Sequence, residues 1–279
     1  MFDWLFDFLS GKTIVQAGYY IWNAMSDAAM ALLGSTPSQL AGGSLWNVSI
    51  TLMDFMKVIG ASLFNLMFFM NFCKNSANLR DNQTMETIVT MFIKALVGNL
   101  LIVNIENIIN SICVIMQNLF QIVAPEGAAS VQLQVTSVDD WDSDSLLVGL
   151  IVALVFFVIA LGAGLLLLLH VYGIFLKVFF YIIVSPLAMA TVPGPEGAAR
   201  SAENWLKTFL CALGEFAGTA LVLRLCAAMI NSNGFLIPVP NGISALESLW
   251  NMIQSMITLL LLISSVKAVD SMIRRAFGF

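Results

Sequence analysis

Five charged side chains interrupt segments that are otherwise apolar enough to cross a bilayer: Asp54, Lys57, Glu106, Glu215 and Arg224. Carboxylates and cations held inside a membrane can do two kinds of chemistry. They can neutralise one another across helix contacts, or they can line a wet path for an ion, a proton or a charged polymer. A charge at the bilayer centre costs roughly 2.5–3.5 kcal/mol on insertion scales, so such groups face other helices or a hydrated cavity. Asp54 and Lys57 share one helical face and can pair locally. Glu106 sits among Asn104, Asn107 and Asn110, which makes a polar stripe. Glu215 falls inside Gly214-x-x-x-Gly218, a small-residue pattern that lets helices approach closely. Arg224 lies on roughly the opposite side of that helix and so needs a different partner. Each one, taken singly, reads most simply as an inter-helix contact. Together they point to a polar inter-subunit or pore-facing surface.

Catalytic patterns are sparse. SGKT at Ser10–Thr13 imitates the end of a phosphate-binding loop, but the upstream glycine that loop requires falls at Phe6. His170 is the single histidine and stands near Tyr172, where a structural or interfacial role is the simpler reading. DDWDSD at Asp139–Asp144 offers carboxylates for calcium but lacks the glycine and terminal glutamate of an EF-hand, so it reads as a solvated loop capping the helix that follows. Cys73, Cys113, Cys211 and Cys226 are widely spaced in or beside apolar segments, which suits packing better than a disulfide or a metal. No catalytic residue, cofactor or metal is expected. A net charge of −5 also argues against direct nucleic-acid binding, which needs a basic stripe.

The elements that must position these charges follow from composition. Hydrophobic residues make up 59% of the chain and charged ones 10%, whereas about a quarter of an ordinary soluble protein is charged. The expectation is an all-α polytopic membrane protein. Spans of roughly 20 apolar residues are expected at about 48–73, 88–123, 145–184, 201–231 and 246–270. The second is overlong, and the third is an unusually long helix. Between the third and fourth comes SPLAMATVPGPEG, where Pro186, Pro193 and Pro195 should end a regular helix. Such a turn sits just outside the bilayer, or re-enters it buried in protein.

Loop charges set an expected orientation. Lys74 and Arg80 follow the first span, Arg200 and Lys207 flank the fourth, and Lys267, Arg274 and Arg275 end the chain. The 125–145 loop carries Glu126, Asp139, Asp140, Asp142 and Asp144 with no base, and the 232–247 loop has no base either. Excess Lys and Arg marks the cytoplasmic side, so the N-terminus should be outside and the C-terminus inside, with five crossings. Six crossings, obtained by splitting the third near His170, break the charge rule. The first 47 residues differ: Phe2, Leu5, Phe6 and Leu9 interleave with Asp3 and Asp7, and Tyr19, Tyr20 and Trp22 follow. They read as amphipathic helices, either lying at the interface or capping the spans from outside, separate from a transmembrane region at 48–279. MFDWLFDFLSGK has no basic region before its apolar residues, so a cleavable leader is not expected.

The stretch KVFFYIIVSPLAMATVPGPEGAARSAENWLKTFLCALGEFAGTALVLRL, Lys177 to Leu225, resembles the TrbL family of polytopic membrane subunits in conjugative type IV secretion systems. The matching elements are an apolar helix ending in Ser185–Pro186–Leu187, a short Pro/Gly turn, and a polar helix start with Trp205 opening a long span. The whole chain is similar to versions carried by integrative conjugative elements of Gram-positive bacteria, although its central external loop is short. The resemblance implies a non-enzymatic channel or scaffold subunit of the cytoplasmic membrane. Its implied partners are membrane lipid, further copies in a homo-oligomeric ring, other secretion-system membrane subunits, a cytoplasmic ATPase and a coupling protein. A relaxase–DNA substrate is the transient cargo. Pro186 and Trp205 are the family-matching positions, and the turn between them is a candidate motor contact. A small-molecule or ion transporter is the competing reading, favoured by inverted repeats or paired broken helices. A scaffold without a conduit is the third.

Overall fold

A chain this apolar has one open-ended way to satisfy its backbone in lipid, the helix. The computed structural model describes residues 11–77, 85–125, 131–133, 146–231, 247–276 and 278, and among these it contains helices and no strand. The helices are α1 (Lys12–Leu33), α2 (Ser44–Ala77), α3 (Met85–Val103), α4 (Ile105–Val123), α5 (Leu146–Met189), α6 (Glu196–Asn231) and α7 (Glu247–Ala276), with a 3-10 turn at Leu40–Gly43 before α2. Residues 1–10, the acidic DDWDSD loop and most of the 232–247 loop lie outside the described residues. Four helices, α2, α5, α6 and α7, are long and apolar enough to cross a membrane, and α3 with α4 makes a bent pair that raises the number to five. The protein is a polytopic helical membrane protein.

Two expectations are corrected. The 88–123 segment is not one straight span: α3 and α4 meet at Asn104 with a bend of 69°. At the bend the Leu100 carbonyl accepts twice from Asn104, from its backbone amide at 3.1 Å and from its side-chain amide at 3.0 Å. The third helix does not stop before Pro186 but runs through it to Met189. Pro186 cannot donate to the Ile182 carbonyl, and the Ser185 hydroxyl takes that acceptor instead at 2.7 Å. The Pro186 carbonyl then accepts from the Ala190 amide at 3.0 Å, so the last turn closes normally.

The chain divides into two compact units. One comprises Met1–Gly34, Phe120–Gly173 and Phe216–Ile273. In it α1 buries Val15, Tyr19, Trp22, Ala29 and Leu33, the helical repeat of a single apolar face. A Cβ on Gly18 comes within 2.8 Å of the Phe156 ring, so only glycine lets α1 approach α5 this closely. The Tyr19 and Phe156 rings pack 4.7 Å apart, and the Tyr19 hydroxyl lies 3.1 Å from Ser255 Oγ on α7. Trp22 Nε1 donates to the Val131 carbonyl at 2.8 Å, and the Asn23 carboxamide bonds both backbone groups of Leu133. Of the two placements open for α1, the structure has it packed on spans.

The other unit comprises Ser35–Leu119, Ile174–Glu215 and Arg274–Phe279. Here the Pro/Gly turn after α5 is held by α2 and α3. A Cβ on Gly60 sits 3.0 Å from the Pro186 carbonyl oxygen, and one on Gly98 sits 2.8 Å from Phe64 and 3.5 Å from Pro193. The buried Asn71 amide donates to the Pro193 carbonyl at 2.8 Å. Irregular backbone is thus buried in protein, the condition under which it survives beside apolar helices. The remaining apolar surface of this unit points outward, as lipid contact requires: Phe55, Val58 and Phe69 on α2 and Leu176 and Phe180 on α5 are each more than half exposed.

Candidate functional site

The one charge among the five that is fully enclosed is Glu215, whose residue exposure is 0%. It lies on α6 and receives two hydrogen bonds from Lys177 Nζ on α5, at 3.2 Å to Oε1 and 3.0 Å to Oε2. Both carboxylate oxygens are therefore engaged by one ammonium. The pair is asymmetric: the Lys177 side chain is 40% exposed and that of Glu215 1%. A lysine stem can lie along apolar surface while its head reaches a polar layer, which explains how α5 tolerates it. Further along, Trp205 on α6 stacks on Phe209 at 5.2 Å and its Nε1 donates to the Tyr181 carbonyl of α5 at 3.1 Å. Tyr181 follows Lys177 by one helical turn, so the same strip of α5 supplies both partners. The arrangement locks α5 to α6 around the turn. It is a positioning device, enclosed at the carboxylate and partly exposed at the ammonium.

The other charges are placed separately. Asp54 and Lys57 pair locally at 2.7 Å on the outward face of α2, with side chains 57% and 26% exposed. Glu106 sits in the first turn of α4, where the helix N-terminus favours a carboxylate, and it is half-buried. Arg224 does have a partner other than that of Glu215: its Nη1 donates to the carbonyl of Val123, the last residue of α4. A cation at that position meets the negative end of the helix dipole and an unsatisfied terminal carbonyl. Of the small-residue pair, Gly218 allows α6 to meet α7, since a Cβ there lies 2.8 Å from Val269 and 2.9 Å from Ile273. Gly214 is half-buried. His170 Nε2 lies 3.5 Å from Thr219 Oγ1, a long contact between α5 and α6.

Pro186 and Trp205 are both buried, so neither side chain is presented to a soluble partner. Sequence reasoning missed Lys177 as the partner of Glu215. The signal was present: two lone opposite charges on apolar helices joined by a short turn. It also missed Ser185, whose place directly before a proline hints that a hydroxyl replaces the lost donor, and Asn71. No group of three or more His, Cys, Asp or Glu residues able to hold a metal occurs among the described residues. No family model, no curated protein and no solved structure matches the chain.

Proposed function

We propose that the chain is a non-enzymatic channel or scaffold subunit of a conjugative type IV secretion system in a bacterial cytoplasmic membrane, helping a relaxase–DNA substrate to cross. The observation that carries this reading is the Lys177–Glu215 lock. The TrbL-like stretch starts at Lys177, and the lock, the Pro186 turn and Trp205 all lie within it. A subunit that holds its shape while a polymer passes needs polar fixation between apolar helices, and this pair supplies it. On this reading the N-terminus is outside, the C-terminus is cytoplasmic and several copies form a ring. The cytoplasmic ATPase and coupling protein meet the exposed start of α6, at Arg200, Ser201, Glu203, Asn204 and Lys207, instead of the buried Pro186 and Trp205. Deleting the gene from a donor strain and counting transconjugants tests the reading. Transfer should collapse and return with the wild-type gene, while donor growth is unaffected. Unchanged transfer refutes it.

A transporter remains the second reading because the α3–α4 pair is broken at an asparagine, as helices in transporter binding sites are. That reading requires the purified chain alone to move a small solute across vesicle membranes.

A further inference from the structure

Every polar residue of α4 falls on one side of the helix. At 100° per residue, Glu106, Gln117, Asn110, Gln121, Asn107, Asn118 and Ser111 fill an arc of about 140°, interrupted only by Val114. The other side is wholly apolar and is itself divided. Ile105, Ile109, Cys113 and Phe120 are buried against protein, whereas Ile115, Leu119 and Ile122 are exposed. None of the polar arc is buried. The helix thus has a protein side, an apolar outward side and a wet side.

We propose that α4 is not the second half of a span but lies in the plane of the membrane, with its polar arc in the headgroup and water layer and Ile115, Leu119 and Ile122 dipping into the acyl chains. Three further observations agree. The 69° elbow at Asn104 turns α4 away from α3. The 19 residues of α3 extend about 28 Å, close to the roughly 30 Å of a hydrocarbon core, so α3 crosses without help. Its outward stripe of Ile88, Phe92, Leu96, Leu100 and Val103 is apolar except for Asn99, with Lys94 exposed on another side. Arg224 binds the carbonyl end of α4, which anchors the helix at the level of the last turns of α6. The polar arc has amides, a hydroxyl and one carboxylate but no Lys or Arg, so the surface it fits is a hydrated headgroup layer without selection for anionic lipid. Five crossings are preserved, supplied by α2, α3, α5, α6 and α7. The inference does not depend on the secretion reading.

Nitroxide depth measurement tests it. Single cysteines at Asn107, Ser111, Ile115, Asn118 and Gln121 are introduced into the full chain carrying Cys73→Ser and Cys226→Ala, and the protein is reconstituted in phosphatidylcholine–phosphatidylglycerol vesicles. Collision with water-soluble nickel and with oxygen then reports depth. The expected result is equal, shallow depth at 107, 111, 118 and 121 with a deeper position at 115. A depth changing steadily from 107 to 121, by about 21 Å along the axis, overturns the proposal. So does protection of all the polar positions from both colliders, which is the pattern of a closed protein interface. A second measurement needs no label: Asn107→Lys and Asn118→Lys should leave the yield of folded protein unchanged, whereas a several-fold fall contradicts a water-facing arc.

Discussion

Removing either end of the Lys177–Glu215 pair should have unequal consequences, and the inequality follows from burial. At 3.0 Å, two unit charges attract by about 5.5 kcal/mol at an effective dielectric of 20. Most of that attraction offsets desolvation, and the desolvation is borne by Glu215, whose side chain is 1% exposed against 40% for Lys177. Lys177→Met leaves a carboxylate enclosed without its cation and should destabilise by about 3–5 kcal/mol. Glu215→Gln leaves an ammonium that can swing toward the polar layer, so the cost should be about 1–2 kcal/mol. The double variant removes the stranded charge and should recover to within about 1–2 kcal/mol of wild type. Equilibrium unfolding in mixed micelles, followed by the near-ultraviolet signal of Trp205 and its neighbours, gives all three values and the coupling between the two sites. Equal effects of the two single variants, or a double variant no better than Lys177→Met, refute the claim that burial of Glu215 sets the energetics.

Other substitutions separate the remaining devices. Ser185→Ala should cost about 1–2 kcal/mol by orphaning the Ile182 carbonyl, and adding Pro186→Ala should restore most of it by returning a backbone donor, both read from the unfolding midpoint. Gly218→Ala should destabilise by about 1–3 kcal/mol, because its Cβ meets Val269 and Ile273, whereas Gly162→Ala meets nothing within 4 Å and should stabilise by about 0.5–1 kcal/mol. Asn71→Leu removes the bond to the Pro193 carbonyl and should speed amide exchange across residues 190–197, as seen by mass spectrometry. Arg224→Gln should lower stability by about 0.3–1 kcal/mol and fray the last turn of α4, in the same measurements.

How far the fold was legible depended on which property set it. Helices fixed by sheer apolar length, α2, α5, α6 and α7, begin and end within about six residues of where hydropathy puts the spans. The 88–123 segment differs from one continuous helix by the bend at Asn104, which apolar content does not announce. Pro186 misled because the rule for proline assumes an unsatisfied carbonyl, and Ser185 removes the premise. Among the charges, the local pair of Asp54 and Lys57 was readable from spacing. The Lys177–Glu215 contact required knowing how α5 and α6 return on each other. Burial of Trp22 and Tyr19 likewise came from tertiary packing that an aromatic-rich N-terminus does not announce.

The reach of α5 has a consequence for the lipid around it. Its outward apolar residues run from Val148 to Phe180, a stretch of about 48 Å along the axis. A hydrocarbon core of roughly 30 Å covers only about 39 Å of helix even at the 40° upper end of observed tilts. The protein therefore imposes a thickness preference on its surroundings: it is matched better by long acyl chains than by short ones.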